Sequence, residues 1–154
     1  MYLGLSIENS VINAAILNDG GDFVWQESHS LDHDKMANLL EICGSLVANA
    51  AKAHPSLSQS IAVSAQGGFI GQPSPPDGLK CLAGTDLKAN LQASLGRAVA
   101  LASPGQALAL YESRFGAAKD SAVACALYLD NHVFGGVTFG QKLWRGANRT
   151  VGAW

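Results

Sequence analysis

The chain has 154 residues, 48% hydrophobic and 14% charged, with a formal net charge of -2. Such a chain is long enough for a real core and too apolar to be disordered, and its scattered Lys and Arg leave no basic footprint for nucleic acid or an anionic membrane. Cys43, Cys81 and Cys125 are odd in number, far apart and without metal spacing, which argues for reduced thiols in a cytoplasmic protein and against a disulfide framework. The opening MYLGLSIENS carries neither a basic n-region nor a long apolar run, so neither a signal peptide nor a membrane span is expected.

In chain order, Tyr2 to Ile7 alternates Leu3, Leu5 and Ile7 with Tyr2, Gly4 and Ser6, and Val11 to Leu17 is β-branched and apolar. With Glu8-Asn9-Ser10 between them, the two runs predict a hairpin. Asn18-Asp19-Gly20-Gly21 is a second turn, and Phe23 to Ser28 a third strand of an antiparallel meander. From about Asp32 to Ala53 the period becomes helical, with Met36, Leu39, Leu40, Cys43, Leu46, Val47 and Ala50 on one face and His54-Pro55 closing it. Ser60 to Ala65 reads as a buried strand, and Gln66 to Gly78 as an irregular Gly- and Pro-rich loop of the kind that lines sites. Thr85 is the expected cap of a short helix with Leu87, Leu91 and Leu95 on one side and Gly96 at its end.

The stretch Leu95 to Gly116 reads as strand, sharp turn and capped helix. Ala98 to Leu101 is the strand, and Ser103, Pro104 and Gln106 form a capping-box start with Pro at the first helical position. The expected buried side carries Ala107, Leu108, Leu110, Tyr111 and Phe115, and Gly116 sits just past the end. Then come two further strands, Ala122 to Leu129 and Val133 to Phe139, a turn at Gly140-Gln141, and Leu143-Trp144. The order βββαβαβα implies an α/β layer with parallel strands added beside an antiparallel set. LSIENSVINAAI at Leu5 to Ile16 and LYLDNHVFGGVT at Leu127 to Thr138 match position by position in character, a weak internal repeat.

Four blocks in order, LGLSIENSVINAAILNDGG, IAVSAQGGF, LGRAVALASPGQALALYESRFGAA and LYLDNHVFGGVTFGQKLWRGANRTVGAW, resemble the ROK family of sugar kinases and sugar-responsive repressors, within the actin-like ATPase superfamily. Ala107, Glu112, Gly116, Gly135, Gly136, Lys142, Leu143 and Gly146 fall where the family places them. The resemblance implies a ribonuclease-H-like lobe over residues 1–118, with the beginning of a second lobe over 119–154. It also implies phosphate loops at Ser6, Glu8, Asn9 and Ser10 and at Asp130, Asn131, His132, Gly135 and Gly136, and sugar contacts from Gln66, Gly67, Gly68, Ser103 and Gln106.

The reactive positions depart from that pattern. Where the family has Asp and Gly-Gly-Thr, this chain has Ser6 and Glu8-Asn9-Ser10; where it has Gly-Thr-Gly, this chain has Asp130-Asn131-His132. Each change puts a carboxylate where an anion should sit. The family's Asn-Asp pair is Ser103-Pro104, and proline takes no proton from a sugar hydroxyl. Ala153 replaces the sugar-binding Glu of many kinases, and the zinc motif of the family lies beyond the last residue.

The expectation is therefore a non-catalytic ROK domain with a sugar-sensing or assembly role, needing no cofactor and no metal, and with no nucleic-acid contact through this segment. A divergent or partial sugar kinase using Mg-ATP is the enzyme alternative, and an interaction module completed by a second copy or a missing half is the third. His29 and His33 have helical metal spacing, but with Asp32 and Asp34 beside them they read first as a solvated helix start. His132 reads first as a turn residue, and Trp144 and Trp154 as cover for core or partner, or as stacking faces for a sugar.

Overall fold

Alternation at period two decides the first sheet. In the computed structural model, which describes residues 1–70, 75–146 and 151, the odd residues Leu3, Leu5 and Ile7 and the even residues Ile12, Ala14 and Ile16 are all buried. They lie on β1 (Tyr2–Ile7) and β2 (Val11–Leu17), which pair antiparallel with Leu5 opposite Ala14. Next come β3 (Phe23–Ser30), α1 (Met36–Ala53), β4 (Ser60–Ala65), a single 3-10 turn at Lys80–Leu82, α2 (Leu87–Leu95) and β5 (Ala98–Ala102). The strand order is β3-β2-β1-β4-β5, with β1 and β4 parallel. This mixed α/β layer is the predicted one, and α1 lays Leu39, Cys43, Leu46, Val47 and Ala50 against it.

Two helix starts differ from expectation, α1 beginning later than Asp32 and α2 taking a different cap, because a nearby polar side chain is used elsewhere. Regular α1 begins at Met36, after Lys35, which makes no side-chain cap bond. Asp34 instead accepts the backbone N–H groups of Lys80 (2.7 Å) and Cys81 (2.9 Å), capping the 3-10 turn across the fold. The cap of α2 is Asp86, which accepts from the Ala89 N–H, because the Thr85 hydroxyl donates to the carbonyls of Cys81 and Leu82. Gly96 ends α2 in the left-handed conformation, at φ 61°.

The chain separates into two compact units, Met1–Leu101 and Ala102–Trp154. The second contains α3 (Pro104–Arg114), β6 (Val123–Leu129), β7 (Val133–Phe139) and β8 (Lys142–Leu143). The three strands form an antiparallel sheet in sequence order, and α3 packs on β6 and β7. Gly140 and Gln141, at φ 50° and 62°, make the two-residue turn between β7 and β8.

The capping box of α3 forms as read, but the buried face is a different one. Gly105, Gln106, Ala109 and Ser113 are buried, whereas Tyr111 and Phe115 are exposed at 37% and 39%. The helix lies so close to the hairpin that only small residues fit between them. A Cβ on Gly105 would press into the Phe134 carbonyl and lie 2.7 Å from the Gly135 carbonyl carbon; one on Gly136 would lie 2.6 Å from the Gln106 Cα. Size and apolarity point to the wrong side where close approach selects smallness.

The two hairpins of the internal repeat both exist but close differently. Ile7 pairs with Ile12 in the first, while in the second Leu129 pairs with Val133, one residue tighter. Residues aligned on the lead strands therefore fall on opposite faces, Leu5 and Ile7 buried but Leu127 and Leu129 exposed, while Ala14 and Ile16 and their counterparts Gly136 and Thr138 are all buried.

Candidate functional site

The carboxyl ends of parallel strands are where an open α/β sheet offers a ligand site. Ile7 and Ala65 are cross-strand partners at the ends of β1 and β4, so Glu8 and Gln66 leave the sheet side by side. The turn after β1 is closed on itself. Glu8 Oε1 accepts from Asn13 Nδ2 at 3.0 Å and from Ser6 Oγ at 3.3 Å. Asn13 Oδ1 accepts in turn from Ser28 Oγ at 2.7 Å, so Ser6, Asn13 and Ser28 form a polar row across three strands. Asn9 Nδ2 donates to the Asp77 carbonyl, and the Ser10 carbonyl accepts from the Leu31 N–H. A carboxylate thus occupies the donors of this turn, where a bound phosphate would need those donors free of negative charge.

After β4, Gly67 and Gly68 are buried and Gln66 is half-buried. Gly68 has φ +79°, and a Cβ there would lie 2.5 Å from the Leu87 Cβ; its carbonyl accepts from the Leu87 N–H. Its glycine is explained by passage against the first turn of α2. Ser103 and Gln106, which belong to the second unit, bind each other. The Ser103 N–H donates to Gln106 Oε1 at 3.2 Å, and the Gln106 N–H donates to Ser103 Oγ at 3.4 Å. Pro104 between them is the first helical residue and supplies neither an N–H nor an ionisable group.

In the second hairpin the Asp130 N–H donates to the His132 carbonyl, closing the turn, and the His132 ring stands edge-on to Phe134 at 6.3 Å. Gly135 and Gly136 are buried, and Gly136 is spent on the approach of α3 at Gly105. His29 lies on β3 and His33 in the segment before α1, so the two do not share a helical turn. His29 Nε2 is 3.2 Å from Glu27 Oε1, which also accepts from Asn49 Nδ2. Among the described residues no group of three or more acidic, His or Cys side chains could hold a metal. Trp144 is half-exposed beside Phe139, while Ala153 and Trp154 lie outside the described residues.

Two thiols are held protonated at neutral pH. Burial pushes Cys43 up to about 12. Burial, and then the Asp34 carboxylate, push Cys81 to about 12 as well. Asp34 itself is lowered, chiefly by the Cys81 N–H. Sequence reasoning did not single out Asn13 or Ser28, and took Asp34 only as part of a solvated helix start. Asn13 carries a readable signal as a polar residue within the apolar β2, whereas Ser28 lies among the polar residues of β3 and the partners of Asp34 are 46 and 47 residues away, so neither carries one.

A family model describing the ROK family matches residues 2–154. The chain belongs to the ROK family. No curated protein matches it in sequence. Among solved structures, the ROK hexokinase from Thermus thermophilus is 20% identical over 98% of this chain and 51% of its own, with TM-score 0.85. The ROK glucokinase from Streptomyces griseus, in complex with glucose and AMPPNP, is 21% identical over 94% of this chain and 46% of its own, with TM-score 0.78. A ROK transcriptional regulator, homologue of the E. coli MLC protein, is 16% identical over 98% and 39%, with TM-score 0.75. These neighbours share the actin-like ATPase fold with this chain, which spans about half the length of the two kinases. No helix among the described residues is long and apolar enough to cross a membrane.

Proposed function

We propose that this ROK domain does not phosphorylate sugars and serves a carbohydrate-sensing or regulatory role. The observation that carries this reading is Pro104, fixed as the first residue of α3 at the position where the family resemblance puts the general base. General-base catalysis needs a group that takes the hydroxyl proton within hydrogen-bond reach, and the neighbouring polar side chains, Ser103 and Gln106, cap the helix. The self-closed turn at Glu8 supports the same reading, because its carboxylate would repel a nucleotide phosphate. Gln66, Gly67, Gly68, Ser103 and Gln106 are the proposed sugar contacts, with a hexose or amino sugar as ligand. The proposed setting is the cytoplasm, consistent with three free cysteines.

The kinase neighbours support a second reading, a divergent sugar kinase that uses Mg-ATP and is completed by further polypeptide. Thermal-shift titration with hexoses and amino sugars, with and without Mg-ATP, together with an assay for ADP release, separates the two. Stabilisation by sugar alone, unchanged by Mg-ATP, is the expected result. Sugar-dependent ADP release would overturn the non-catalytic reading, and Ser103→Asn with Pro104→Asp tests whether the missing pair alone is limiting.

A further inference from the structure

We propose that Glu112 and Gly116 act as one clasp, in which the Glu112 side chain folds back over the glycine to close the end of α3 and fix the path of the chain into β6. The clasp is a conformational device of this unit, independent of any bound sugar.

Local propensity accounts for neither residue. Glu112 lies in the last turn of α3, where a carboxylate is repelled by the negative end of the helix dipole. Gly116 stands where a glycine just past a helix ordinarily adopts the left-handed conformation, as Gly96 does after α2 at φ 61°. The φ of Gly116 is outside that region, so its own backbone does not require glycine.

The geometry accounts for both residues together. The Glu112 carbonyl accepts the N–H groups of Gly116 at 3.1 Å and Ala118 at 3.2 Å, and Glu112 Oε2 accepts that of Ala117 at 2.8 Å. One residue thus receives three successive donors, and the charge-assisted bond offsets the repulsion from the dipole. To reach Ala117 the carboxylate passes through the space that a side chain on Gly116 would fill. A Cβ there would press into Oε2 and lie 2.6 Å from the Glu112 Cδ. Glycine is needed for the path of its neighbour's carboxylate. Beyond the clasp, the Lys119 N–H donates to the Gly116 carbonyl and Gln141 Nε2 donates to the Lys119 carbonyl, which ties the closed turn to the turn between β7 and β8.

Amide exchange in the 154-residue chain tests this. Glu112→Ala is expected to speed exchange at Ala117 by about tenfold, as loss of a hydrogen bond to a charged group predicts, while Ala109 keeps its protection. Gly116→Ala drives the carboxylate off its donor and is expected to speed Ala117 by a similar factor. In the double variant Glu112→Ala/Gly116→Ala exchange is expected to be no faster than in either single variant, because the same bond is lost only once. Glu112→Gln, which keeps an acceptor oxygen, is expected to retain part of the protection and to lose it when combined with Gly116→Ala. Ala117 protection untouched by Glu112→Ala or by Gly116→Ala, or factors that multiply in the double variant, would overturn the proposal.

Discussion

Replacing Gly105 by alanine sets two effects of opposite sign against each other. Gly105 is the second residue of α3, so helix propensity favours the change by less than the roughly 1 kcal/mol of a helix-interior position. Against it, the new methyl would press into the Phe134 carbonyl and stand 2.7 Å from the Gly135 carbonyl carbon. Both obstacles are backbone, so no rotamer change relieves the overlap and α3 must retreat by roughly 1 Å to restore van der Waals distance. A gap of that width forfeits about a quarter to a half of each dispersion contact beneath the helix, where Ala109 and Ser113 have no exposed surface. Overpacking of this kind costs about 1–3 kcal/mol, and more where backbone is struck, so the net expectation is a loss of about 2 kcal/mol. Gly44→Ala on α1, where a Cβ meets nothing within 4 Å, is the matched control and should gain about 1 kcal/mol. Urea unfolding followed by circular dichroism measures both, and amide exchange at Ala109–Ser113 localises the effect. If Gly105→Ala raises the midpoint as Gly44→Ala does, the close-approach account of α3 is wrong.

Asp34 should stabilise the first unit in a defined pH range. Its folded pKa is lowered, so its contribution is present above the unfolded value near 3.8 and is lost as pH falls through the folded one. Asp34→Ala should cost about 1 kcal/mol at neutral pH, flatten the acid limb below that value and speed amide exchange at Lys80 and Cys81. The thiols should respond in the opposite direction. Their raised pKa values favour the neutral form in the fold, so stability should fall as pH rises above the unfolded value of 9.0. In thiol labelling at neutral pH, exposed Cys125 should react at once and Cys43 only on unfolding, and prompt labelling of all three would contradict the burial of Cys43. Glu8→Ala should cost about 1 kcal/mol by stripping the acceptor from Asn13 and Ser6, measurable as a lowered thermal midpoint. Glu8→Gln, which keeps an oxygen there, should lose less.

Among the candidate site residues, the identity of each position was legible and its employment was not. Pro104 at the start of α3 and the Ser103–Gln106 box could be read directly, because a cap is made by residues three apart. Gly68, Gly135 and Gly136 read as loops approaching a ligand. Gly68 and Gly136 are also pressed against Leu87 and Gly105, and no local pattern reports so close an approach to a distant residue. The acidic turn at Glu8 was visible as a charge of the wrong sign, but its closure by Asn13 and Ser6 depends on strand register.

By itself the sequence determined the meander, the C-terminal end and buried face of α1, the strand Ser60–Ala65, the α3 capping box and the Gly140-Gln141 turn. Each of these rests on a period or a short spacing that backbone geometry enforces locally. Tertiary structure alone decided which face α3 buries, that Asp34 caps a distant turn and not its own helix, and that the Gly136 of a presumed phosphate loop serves helix packing. These depend on how closely two backbones approach and which donor lies nearest, and those distances arise only when the elements meet.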